Sequence, residues 1–81
     1  MSCMFEVYYL PPANARKEAD LTARISQWGG WLSYREVPDE GVAGSVCLTY
    51  EFTDSAQAET AAAALREQGE HVEGPMDYSN T

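Results

Sequence analysis

The sequence predicts an α+β fold: a four-stranded antiparallel sheet with two helices on one face, in the order β-α-β-β-α-β. Three observations carry this expectation. Val46, Leu48, Tyr50 and Phe52 alternate with Cys47, Thr49 and Glu51, the period of a strand with one face in a core. Ala58, Ala61, Ala62 and Leu65 then fall at i, i+3, i+4 and i+7, a single helical stripe. An earlier stripe of Leu21, Ile25 and Trp28 follows a first strand, so each helix lies between two extended segments.

In chain order, Phe5–Leu10 is the first expected strand, with Phe5, Val7 and Tyr9 on one face and Glu6, Tyr8 and Leu10 on the other. Pro11 and Pro12 end it, since neither can donate to a ladder. Asn14 is the expected N-cap of a helix running from about Ala15 to Trp28, with Arg16, Lys17, Asp20 and Arg24 outward and Gly29-Gly30 as the stop. Trp31–Val37 is the second strand. Either Leu32 and Tyr34 or Trp31, Ser33 and Arg35 face the core, because each set holds a large aromatic. Residues 39–44 form a loop with two glycines available for positive φ. Val46–Phe52 is the third strand. Asp54, three residues before Gln57, opens the second helix as a capping box, and Gly69 closes it. A short fourth strand covers residues 70–73, with Val72 inward and His71 and Glu73 outward, and Gly74-Pro75 is expected to break it. Two right-handed crossovers joined by a hairpin give the ferredoxin-like plait, with strand order 4-1-3-2 and one open sheet face. Residues 1–75 are read as one domain and residues 76–81 as a tail or an extension of the sheet edge.

Eighty-one residues with 44% apolar side chains and nine aromatics suit a single folded domain with a thin core. Thirteen acids oppose five bases, for a net charge of −8. Residues 1–40 hold six acids and four bases, whereas residues 41–81 hold seven acids and one base. Such a surface repels phosphate backbones and anionic lipids and attracts basic partners. The N-terminus has neither a basic nor an apolar leader region, and no apolar run approaches the length of a membrane span. The expectation is a cytoplasmic protein with no membrane partner. Cys3 and Cys47 would enter opposite ends of the first and third strands, about six residues and roughly 20 Å apart, far beyond disulfide reach.

The stretch Val46–Gly69 resembles the RNA-recognition motif, with Phe52, Ala58, Ala61 and Leu65 at the spacing seen after that family's third strand. Tyr9-Leu10-Pro11-Pro12 is similar to its first-strand exit. The resemblance implies aromatic rings on the open face that stack on bases. Here those positions are Cys47 and Thr49 on the third strand and Glu6 on the first, and no Lys or Arg lies between Glu36 and Leu65. Both the stacking and the charge that hold RNA are missing, so no nucleic-acid partner is expected.

Other chemistries are equally poorly supplied. One histidine, His71, beside Glu70, Glu73 and Asp77 is too few strong ligands for a metal centre, and no cofactor is expected. Cys47 sits among acidic neighbours, which raise a thiol's pKa. Glu6 and Glu51 are on adjacent strands, yet so short a chain supplies no walls around them. What remains is the open face itself, with Glu6, Tyr8, Leu10, Cys47, Thr49 and Glu51 as candidate interaction residues. The expected function is non-enzymatic binding of a protein partner, or of a second copy, through that face. The alternative is a small-molecule-binding or enzymatic domain that uses the same face as one wall of a dimeric cavity.

Overall fold

A computed structural model describes residues 2–77. Six elements follow in the order β1 (Cys3–Tyr9), α1 (Ala15–Ser26), β2 (Trp31–Glu36), β3 (Val46–Phe52), α2 (Ser55–Glu67) and β4 (His71–Asp77). The strands form one antiparallel sheet ordered β2-β3-β1-β4, which is 4-1-3-2 read from the other edge, and the ferredoxin-like plait fits it.

One sheet face and both helix stripes make a single core. Phe5, Val7, Leu48, Tyr50 and Phe52 meet Leu21 and Ile25 of α1 and Ala58, Ala61, Ala62 and Leu65 of α2. The alanines bring α2 close to the sheet, and the aromatic trio Phe5, Tyr50 and Phe52 fills the remaining volume, with ring centroids 5.3–6.1 Å apart from Phe5. The buried Tyr50 hydroxyl shares a 2.8 Å hydrogen bond with Thr22 of α1, so this ring's polar end has a partner. Asn14 caps α1 by accepting from the Lys17 amide at 3.0 Å. Asp54 caps α2 by accepting from the Ala56 amide at 2.9 Å, one residue short of the expected box. After α1, Gly29 takes the positive φ of +86° that ends the helix. Gly30 instead makes room for packing: a Cβ there would lie 2.5 Å from the Phe52 ring and 2.6 Å from Ile25.

Both edge strands depart from the simple alternation. In β2 the register runs Trp31↔Glu51, Leu32↔Tyr50 and then Tyr34↔Thr49, so Ser33 is an extra residue in a β-bulge. Neither of the two expected face assignments for β2 holds over its whole length. Leu32 and Arg35 turn to the helix side, and Trp31, Tyr34 and Glu36 turn to the open side, because the bulge absorbs one residue between them. In β4, Gly74-Pro75 does not break the strand. Glu73 pairs with Glu6 and Met76 with Met4, leaving residues 74 and 75 opposite Phe5 in a second bulge. Proline is tolerated because β4 is an edge and its outer side has no ladder to feed. Gly74 has φ +105°, and a Cβ there would press on the Met4 carbonyl at 3.2 Å. Arg66, in the last turn of α2, donates to the Val72 and Gly74 carbonyls at 3.1 and 2.5 Å and ties the bulge to the helix. Of the segment 76–81, expected as a tail or an extension of the sheet edge, residues 76 and 77 extend the edge, and residues 78–81 lie outside the described residues.

Strand one also shifts. It begins at Cys3, where Phe52 supplies a partner, and ends at Tyr9, since Val46 opens β3 and leaves Leu10 with none. The register puts Cys3 opposite Phe52 and Cys47 opposite Tyr8, and the two sulfurs are not bonded to each other.

Candidate functional site

The antiparallel ladders align the open face in three rows, each crossing β2, β3, β1 and β4 in turn. The first is Trp31, Glu51, Met4 and Met76; the second is Tyr34, Thr49, Glu6 and Glu73; the third is Glu36, Cys47, Tyr8 and His71. Five of the six expected residues thus share one face: Glu6, Tyr8, Cys47, Thr49 and Glu51. Leu10 does not join them. It lies past the end of β1, 78% exposed, and lines a shallow hollow of about 580 Å3 with Tyr9, Pro12, Asn14 and Lys17. The rows add Met4 and Glu36, which the sequence reading passed over, and they assign Trp31 and Tyr34 to this face together.

This face is unusual in composition. Trp31 is 44% exposed, and Tyr34 and Met76 are each 59% exposed. Four of its positions are carboxylates, Glu6, Glu36, Glu51 and Glu73, and none is Lys or Arg. Glu6 and Glu73 stand directly opposite each other across the β1–β4 ladder, a like-charge pairing that costs stability. Each has a neighbour that eases the repulsion. The Tyr8 hydroxyl donates to Glu6 Oε1 at 3.2 Å, the Cys47 thiol points to Glu6 Oε2 at 3.8 Å, and His71 Nε2 lies 3.1 Å from Glu73 Oε2. The His71 and Tyr8 rings meet edge to face at 5.8 Å.

These contacts set the local proton chemistry. Partial burial, reinforced by Cys47 and Glu6, pushes the Tyr8 phenol above its ordinary range. Burial also raises the Cys47 thiol, with the Glu6 carboxylate acting in the same direction. The Tyr8 hydrogen bond opposes this rise without cancelling it, so the net effect favours the thiol over the nucleophilic thiolate, and the Tyr8 ring on β1 separates Cys47 from His71 on β4. A recess of about 150 Å3 opens between Met4, Glu6, Thr49, Glu73 and Met76, beside the β4 bulge. Ligand pockets ordinarily start near 300 Å3. Among the described residues, no three His, Cys, Asp or Glu side chains converge as they would around a metal, and no helix is long and apolar enough to cross a membrane.

The other polar cluster lies on the helix side. Glu18 of α1 is buried, accepts from Arg35 Nε at 2.6 Å and from Nη2 at 3.3 Å, and receives the Tyr9 hydroxyl. Arg35 holds the Glu18 carboxyl below its ordinary range, with Tyr9 adding to the effect against the cost of burial. Glu18 was legible as an anomaly: it stands three residues before Leu21 and seven before Ile25, an acid on the apolar stripe. It joins α1 to β1 and β2, and its oxygens are turned away from the open face.

Comparison with family models, with curated proteins and with solved structures finds no match for this chain.

Proposed function

We propose that this chain is a small, acidic, non-enzymatic binding domain of the ferredoxin-like type, which engages a protein partner through its open sheet face. One observation carries the reading: Trp31, Tyr34 and Met76 are exposed apolar residues, with the half-buried Met4 in the same row as Trp31 and Met76, on a face where half of the remaining positions are carboxylates. Exposed aromatic and thioether side chains gathered on one surface are what protein interfaces use as anchors. The small-molecule alternative is less well supported, because the recess on this face is smaller than the pockets most ligands need.

Site-specific photo-crosslinking in the native cells tests the proposal. A benzoylphenylalanine in place of Tyr34, on the open face, is expected to give a discrete protein adduct. The same group in place of Glu59, exposed on α2, is expected to give none. Adducts from position 59 alone, or equally from both, would overturn the reading.

A further inference from the structure

We infer that the occupant of the open face is a basic amphipathic helix of a partner protein, not a second copy of this chain. The inference rests on the binding role proposed above and adds the chemistry of the partner.

Charge decides against self-pairing. Two copies meeting face to face would bring Glu6, Glu36, Glu51 and Glu73 of each into one interface, eight carboxylates with no Lys or Arg from any of the three rows to balance them. Like charges brought together at an interface oppose association. A partner bearing Lys or Arg reverses the sign of every one of those contacts.

The distribution of side chains decides the form of the partner. The first row is apolar except for Glu51, and the second row carries the opposed pair Glu6 and Glu73. The rows lie about 7 Å apart, and each crosses four strands, a span of about 14 Å. A helix laid along the first row covers that span in roughly ten residues at 1.5 Å each. Its apolar stripe would meet Trp31, Met4 and Met76, and cations on its flank would reach Glu6 and Glu73. An extended segment cannot lie there at equal cost. The sheet's own ladders already use the strand backbones across this face, so an extended chain's amides would be buried against side chains without partners. A helix brings its backbone hydrogen bonds with it.

The test uses the full chain, isotope-labelled, and three synthetic helices of identical Leu pattern whose polar face is all Lys, all Gln or all Glu. The Lys helix is expected to shift the resonances of Met4, Glu6, Trp31, Glu73 and Met76. Its affinity should fall steeply between 50 and 300 mM salt, on the order of tenfold, and the Glu helix should not bind. The double variant Glu6→Gln/Glu73→Gln, which removes the opposed carboxylates without disturbing the core, should weaken the Lys helix about tenfold while leaving the backbone spectrum otherwise unchanged. Equal binding of the Gln and Lys helices at these residues would overturn the basic partner and leave the open-face reading standing. Shifts confined to α1 and α2 would overturn both. Absence of binding by all three helices at millimolar concentration, or a dimer in sedimentation whose interface maps to Trp31 and Met76, would overturn the helix inference.

Discussion

Glu18 shows how one carboxylate can hold three elements together. Its native pKa is depressed below the ordinary 4.5, chiefly by the Arg35 hydrogen bonds, so its contribution to stability is fully present above pH 4.5 and is lost as pH falls through the lower native value. Glu18→Gln should therefore lower the melting temperature at pH 7 and flatten its decline between pH 5 and pH 2, a comparison made by thermal melts across that range. An unchanged acid limb would mean that other carboxylates carry the acid sensitivity. Gly30 sets a different residue-scale limit. Gly30→Ala forces a methyl against Phe52 and Ile25, and overpacking of this kind costs roughly 1–3 kcal/mol. Chemical denaturation should show the loss, whereas the same change at Gly41, whose Cβ would meet nothing within 4 Å, carries only the penalty of its positive φ of +82°.

At the scale of elements, β2 is where sequence and structure part, and Ser33 is the reason. Removing Ser33 leaves Trp31, Leu32, Tyr34, Arg35 and Glu36 in strict alternation, with the faces they already occupy. Deletion of Ser33 should therefore preserve the Tyr34–Thr49 and Arg35–Leu48 pairings, visible as cross-strand contacts in NMR spectra. A shift of all pairings by one residue would refute the two-sided reading of this strand. The central strands were legible because both of their neighbours enforce the period: Val46–Phe52 was recovered to the residue, and Glu6, Tyr8, Cys47, Thr49 and Glu51 were correctly grouped on one face. The helices were legible through their apolar stripes and caps. Edges are governed by one neighbour only, so an extra residue at 33 or at 74–75 can be absorbed without a mark in the hydrophobic pattern. Leu10 was misplaced for a similar reason: its hydrophobicity continued the strand, but no residue of β3 lay opposite to pair with it.

For the molecule as a whole, the asymmetry of charge and surface matters most. The helix side carries the organised cations: Lys17 bridges to Glu70 at 2.9 Å, Arg35 serves Glu18 and Arg66 serves β4. The open face has none in its three rows. A single-stranded oligonucleotide should consequently fail to bind at physiological salt, as fluorescence anisotropy would show; micromolar binding would refute the electrostatic reading. With a net charge of −8, the native state should also gain stability as salt rises from 10 to 150 mM, since screening relieves self-repulsion.

The two bulges have one further consequence, which concerns the crowd of chains and not the single molecule. A sheet can recruit foreign strands only along its edges, and here each edge loses register partway, at Ser33 in β2 and at Gly74-Pro75 in β4. An incoming extended chain can match only a short run before its pairing fails, which is how natural sheets resist fibril growth. The Ser33 deletion, which keeps both faces of β2, would straighten that edge into a template. Its penalty should appear as aggregation in concentrated solution, with little change in the melting temperature of dilute protein.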